Sequence, residues 1–77
     1  MNSLEQRVKE VVASQFKVKL SDLNLNTNFI ITLGVDSVDM FELALSLEAE
    51  FKISIPTEDY TKLTSVGIIL DYLKRKC

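Results

Sequence analysis

Apolar positions recur at helical spacing in four stretches of the chain. In "SLEQRVKEVVASQF", Leu4, Val8, Val11, Val12 and Phe16 share one face of a 3.6-residue helix. Ser3 and Gln6 stand in the register of a Ser-x-x-Gln capping box, so a helix is predicted over about 3–16. A second helix is predicted from Ser37 to Phe51, where Met40, Leu43, Ala44, Leu47 and Phe51 gather on one face. Asp36 is its N-cap, and Asp39 adds negative charge to its first turn. Pro56 then opens "PTEDYTKL", which reads as a short helix of one to two turns. "TSVGIILDYLKRK" predicts a last helix over about 65–75, capped by Thr64 or Ser65 and striped by Val66, Ile69, Leu70 and Leu73. Lys74, Arg75 and Lys76 suit its C-terminal end. Gly67 within it costs about 1 kcal/mol relative to alanine, which calls for close packing or an end effect at that position.

Residues 17–36 hold no sustained period. "KVKLSDLNLN" alternates like a strand, but a lone strand has no partner, and its asparagines and Ser-Asp pair are turn chemistry. A long structured loop is predicted, with a short turn near 21–24 and with Leu20, Leu23, Leu25, Phe29, Ile30 and Leu33 tucked onto the core. Long loops in compact domains are often functional. The expected fold class is therefore all-α: a four-helix bundle of three longer helices and one short one, with a long structured loop between helices 1 and 2, forming a single domain over residues 1–77. A chain of this size buries only about 60% of its unfolded surface.

The 37–51 helix carries a second apolar stripe. Val38, Phe41 and Leu45 lie roughly a third of the circumference from the core stripe, at about 100° per residue. Glu42 and Ala49 border them, Glu48 falls between the two stripes, and Asp39, Ser46 and Glu50 form the polar back. Two readings stand: a broad, mostly buried helix, or a partner-docking strip with a polar rim. Phe41 is the boldest of these residues, since a large aromatic left in water usually serves a partner.

Charge sharpens the second reading. The net charge is −2, which argues against general nucleic-acid binding. It hides an acidic segment: residues 36–59 hold seven acids and one base, for −6, while the rest holds four acids and eight bases, for +4. Partners of that segment are expected to be basic, with encounters weakened by salt.

Candidate chemistry is sparse. There is no histidine, and Cys77 is the only cysteine, so zinc sites and the usual serine or cysteine dyads lack parts. Cys77 reads as an incidental free thiol outside any prenylation motif. No calcium-loop spacing appears, and neither a catalytic residue nor a metal ligand is assigned. Apolar runs fall far short of the roughly 20 residues of a membrane span. "MNSLEQRVKE" lacks the apolar run of a secretory signal, which points to the cytoplasm.

Within "LGVDSVDMFEL", Ser37 admits three readings. As a nucleophile it has no nearby base except Asp36 and Asp39, and exposed aspartate is a weak one at a pKa of about 3.9. As part of a helix start it needs no function. As a modified residue it sits where free N–H groups and the helix dipole favour a phosphate ester, and Gly34 lets the chain turn and leave it open.

This stretch resembles the Leu-Gly-x-Asp-Ser-Leu signature of acyl carrier proteins. The resemblance extends over nearly the whole chain, through "NTNF" before the signature, "LEAEFKISIP" after it, and "TEDYTKLTSVGIILDYL". It implies a non-catalytic carrier, likewise a four-helix bundle and a monomer. Ser37 would receive 4'-phosphopantetheine from coenzyme A through a phosphopantetheinyl transferase that uses magnesium. Acyl groups would be held as thioesters on that arm and delivered to the acyl-loading and acyl-processing enzymes of fatty-acid, lipid or polyketide-type biosynthesis. Asp36, Val38, Asp39, Phe41, Glu42, Leu45 and Glu48 match the family's partner-recognition helix, which meets basic docking patches. Leu43, Leu47, Ile55, Leu63 and Ile69 would line the space for acyl chains. An aminoacyl or peptidyl carrier would share the attachment chemistry, and an unmodified helical adaptor is the reading from another class. The chain departs from the family pattern at Val38, at Ile31 and Thr32 before Leu33-Gly34, at Ala49 and at Thr57, and it carries nine basic residues. A specialised rather than housekeeping carrier is expected.

Overall fold

The computed structural model describes residues 3–76. Four α-helices appear, α1 (Leu4–Phe16), α2 (Phe29–Leu33), α3 (Ser37–Phe51) and α4 (Val66–Lys76), with 3-10 helices at Leu20–Asp22 and Thr57–Lys62. The all-helical class and the three longer helices agree with the sequence reading.

Local chemistry sets the helix ends. Ser3 Oγ accepts from the Gln6 N–H at 3.1 Å, forming one half of the expected capping box, while the Gln6 amide donates to Glu10 at 3.3 Å. Ser65, rather than Thr64, caps α4: its Oγ accepts from the Ile68 N–H at 3.2 Å. Both α1 and α3 end on a left-handed lysine, Lys17 at φ 57° and Lys52 at φ 56°, positions where glycine is the usual choice.

The 17–36 segment is more ordered than a loop with one turn. Asn28 Oδ1 accepts from the Ile31 N–H at 2.9 Å, and Gly34 closes α2 in the left-handed region at φ 71°. Those two caps make a helix of five residues, too short to display a periodic stripe. The anchoring of this segment also differs from expectation. Leu23 and Phe29 are buried and Leu33 is half-buried, but Leu20, Leu25 and Ile30 are exposed. Phe29 does most of the anchoring. Its ring packs edge-on to Phe16 at 5.3 Å, and its N–H donates to the Thr64 carbonyl at 2.8 Å.

α1 packs on α3 and α4, and α3 packs on the Thr57–Lys62 helix. Their inward faces share one core built on Val8, Val12, Phe29, Met40, Leu43, Leu47, Leu63, Val66, Ile69 and Leu73, all essentially excluded from water. Each large side chain so buried contributes about 1.5–3 kcal/mol. Polar ties join the pieces at the rim: Tyr72 donates to Asp59 at 3.0 Å, and Arg7 pairs with Glu50 at 3.2 Å while lying 4.7 Å from the Phe51 ring centre. Cys77 lies outside the described residues.

Candidate functional site

α2 and α3 are separated by Gly34, Val35 and Asp36, so the chain turns a sharp corner immediately before Ser37. Gly34 serves conformation rather than space, since nothing lies within 4 Å of where its Cβ would stand. Asp36 and Asp39 then cap α3 reciprocally. Asp36 Oδ1 accepts from the Asp39 N–H at 3.0 Å, and Asp39 Oδ2 accepts from the Asp36 N–H at 3.1 Å. Both carboxylates are thereby committed to the backbone, which leaves them poorly placed to take a proton from Ser37.

Ser37 itself is exposed and is the first residue of α3. Among the described residues its hydroxyl has no hydrogen-bond partner, and neither do the N–H groups of Ser37 and Val38. Those two N–H groups are the unsatisfied donors that every helix start carries, and they suit an anionic ester on the serine beside them. A recess of about 220 Å³ is lined by Ser37, Val38 and Phe41. A polar recess lies on the other side of the corner, where Lys17 joins Gly34, Asp39 and Glu42. The fold thus brings a lysine toward this corner from the end of α1, which sequence distance concealed. No group of three or more His, Cys, Asp or Glu able to hold a metal occurs among the described residues.

The two stripes of α3 behave differently. Met40, Leu43, Ala44 and Leu47 are buried. Val38, Phe41 and Leu45 stay 64%, 46% and 55% exposed, and Ile31 on α2 is 82% exposed. The broad, mostly buried helix is therefore excluded. Phe41 is intermediate in kind: its ring meets Tyr60 edge-on, with centroids 4.9 Å apart and planes at 86°.

The acidic residues also divide. Glu42 is exposed with no pairing among the described residues. Glu48 turns inward: Oε2 accepts from the Ile55 N–H at 2.7 Å, and Oε1 accepts from the Tyr60 hydroxyl at a long 3.5 Å. Burial, then the Glu48 charge, push the Tyr60 phenol above its ordinary pKa.

In the sequence Tyr60 reads only as an aromatic in a short helix. Its distance from Phe41 along the chain hides the contact.

The geometry is that of an unbonded serine at a helix start, with donors for an anion on one side and an apolar recess on the other. Residues 6–73 match the family model described as the phosphopantetheine attachment site. Domains of that family are generally non-catalytic carriers that engage a transferase and biosynthetic enzymes. With most of its length matched, the chain belongs to the phosphopantetheine-attachment family of carrier domains, and its cofactor is covalently bound 4'-phosphopantetheine.

Proposed function

We propose that Ser37 is the attachment residue and that the protein is an acyl carrier, non-catalytic in itself, working as one domain in the cytoplasm. The observation that carries this reading is the Ser37 hydroxyl: exposed, without a hydrogen-bond partner among the described residues, and set beside two N–H groups likewise unpaired at the start of α3. Attachment joins Ser37 Oγ to the phosphorus next to the pantetheine of coenzyme A. The phosphoanhydride bond breaks, adenosine 3',5'-bisphosphate leaves, and the serine proton passes to a base of the transferase, since the Asp36 and Asp39 carboxylates are held by the α3 backbone. When bound, the arm supplies a thiol that holds acyl groups as thioesters. The tether keeps them at high effective concentration for partner enzymes.

Docking falls to the start of α3. Val38, Phe41 and Leu45 present apolar surface, and Asp36, Asp39 and Glu42 supply negative charge around it. Glu48 contributes less, because its carboxylate is taken up by Ile55 and Tyr60. The expected partners carry basic patches.

Two arms of one experiment test the function. The phosphopantetheinylated protein is offered acyl groups by an acyltransferase in one arm and amino acids by an adenylating enzyme in the other. Acyl loading at the arm thiol supports the reading. Aminoacyl loading alone moves the protein to the aminoacyl carriers, and failure of Ser37 to accept the arm removes both.

A further inference from the structure

We propose that Tyr60 decides how much of a tethered acyl group leaves water, and that it confines this carrier to short or compact apolar cargo held at the surface beside Ser37. The inference rests on Ser37 being the tether. Tyr60 reaches two points of α3. Its ring stands edge-on to Phe41 at 4.9 Å, and its hydroxyl donates to Glu48. Those positions are seven residues apart, about 10 Å along the helix axis. One side chain therefore contacts α3 residues two turns apart, at the seam between α3 and the Thr57–Lys62 helix. It is only 6% exposed, and Leu43, Leu47 and Leu63 of the same core are closed to solvent.

The recess at Ser37 is walled by Ser37, Val38 and Phe41, and Tyr60 is not among its walls. Its volume is about 220 Å³. A longer apolar chain would have to pass the Phe41–Tyr60 contact to escape water. That passage costs the aromatic contact and the long Tyr60–Glu48 hydrogen bond. Glu48 also holds the Ile55 N–H at 2.7 Å, so it cannot follow the tyrosine outward without orphaning that donor. The closure is therefore braced from both sides.

The test loads the protein through a broad transferase with butyryl-, octanoyl- and dodecanoyl-coenzyme A. It reads thioester aminolysis by hydroxylamine, against acyl-pantetheine as the unprotected control, together with melting temperature. The wild type is expected to show no added protection and no added melting temperature from butyryl to dodecanoyl. Tyr60→Ala is expected to slow aminolysis of the dodecanoyl thioester about tenfold, the ratio that two further buried methylenes are worth. Phe41→Ala, at a half-exposed position, gives the same reading from the other side of the contact if Tyr60→Ala does not fold. Length-dependent protection in the wild type overturns the proposal, as does unchanged aminolysis in folded Tyr60→Ala or, where that variant does not fold, in Phe41→Ala. Absence of any covalent gain from acyl-coenzyme A instead rejects Ser37 as the tether, a separate outcome.

Discussion

Gly67 and Leu25 meet backbone to backbone: the Gly67 N–H donates to the Leu25 carbonyl at 3.0 Å, and a Cβ on Gly67 would stand 3.0 Å from that same oxygen. The contact explains why a glycine sits in the first turn of α4. It pins the long connection to the last helix through main chain, while the Leu25 side chain remains exposed. The oxygen has little freedom to retreat, because Asn24 and Thr27 brace the turn around it with hydrogen bonds of 3.1 and 3.2 Å. In Gly67→Ala the helix gains up to about 1 kcal/mol of propensity, against about 1–3 kcal/mol for overpacking. We expect a net loss of about 1 kcal/mol by urea denaturation. A stabilised variant would mean that the Leu25 turn yields.

The left-handed lysines offer the opposite change. Lys52 ends α3 at φ 56°, where a Cβ costs roughly 1–2 kcal/mol. Glycine recovers that cost but gives back unfolded-state entropy. Lys52→Gly is expected to stabilise the fold by about 0.5–1 kcal/mol, again by urea denaturation, with α3 and its exposed stripe unaltered. No gain would show that the Lys52 side chain contributes contacts of comparable worth.

The two tyrosines govern alkaline behaviour. Burial is the first cause of the raised pKa of each; Glu48 adds to it at Tyr60 and the Asp59 hydrogen bond at Tyr72. A phenol whose folded pKa lies above its ordinary 10.0 keeps its proton in the folded state after the unfolded chain has released it. Stability from this source is complete below about pH 10 and is lost as pH rises through the folded values. Tyrosinate absorbance is expected to appear at higher pH in the folded protein than in urea. Tyr60→Phe and Tyr72→Phe should each remove part of the difference. Coincident titrations in the two states would contradict the buried placement.

In the docking proposed above, Phe41 serves both the partner and the packing, and its two edges separate the roles. The outer half, like Val38 and Leu45, is open to solvent, and the inner edge meets Tyr60. Truncating an interface anchor costs on the order of 1–2 kcal/mol of binding. With a broad transferase, Phe41→Ala is expected to raise KM about tenfold. The KM of the wild type should also climb with salt, as a basic partner on an acidic segment requires. A KM unchanged by the substitution would remove Phe41 from the docking surface.

Much of this was legible in the residues, and the exceptions share a cause. The bounds of α3 followed from Asp36 and the core stripe, and the exposed stripe was visible as a second run of apolar positions at helical spacing. α2 leaves no periodic signal because five residues cannot show a period; its marks are the capping Asn28 and Gly34, each ambiguous alone. Leu20, Leu25 and Ile30 were expected inside because they are apolar, yet the segment is held by Phe29, Leu23 and main-chain bonds. Glu48 lay on the border of two stripes, and only the return of the chain at Ile55 turns it inward. In each case the deciding partner is distant in sequence or lies in the backbone, where side-chain patterns carry no signal.

Attachment at Ser37 is the central claim, and intact mass measures it directly. The protein is incubated with coenzyme A, magnesium and a broad phosphopantetheinyl transferase, alongside Ser37→Ala. The expected result is a gain of one phosphopantetheine on the wild type and none on the variant, with fragmentation placing the gain on Ser37. A wild type left unmodified by several such transferases, or a gain that persists in folded Ser37→Ala, would contradict it.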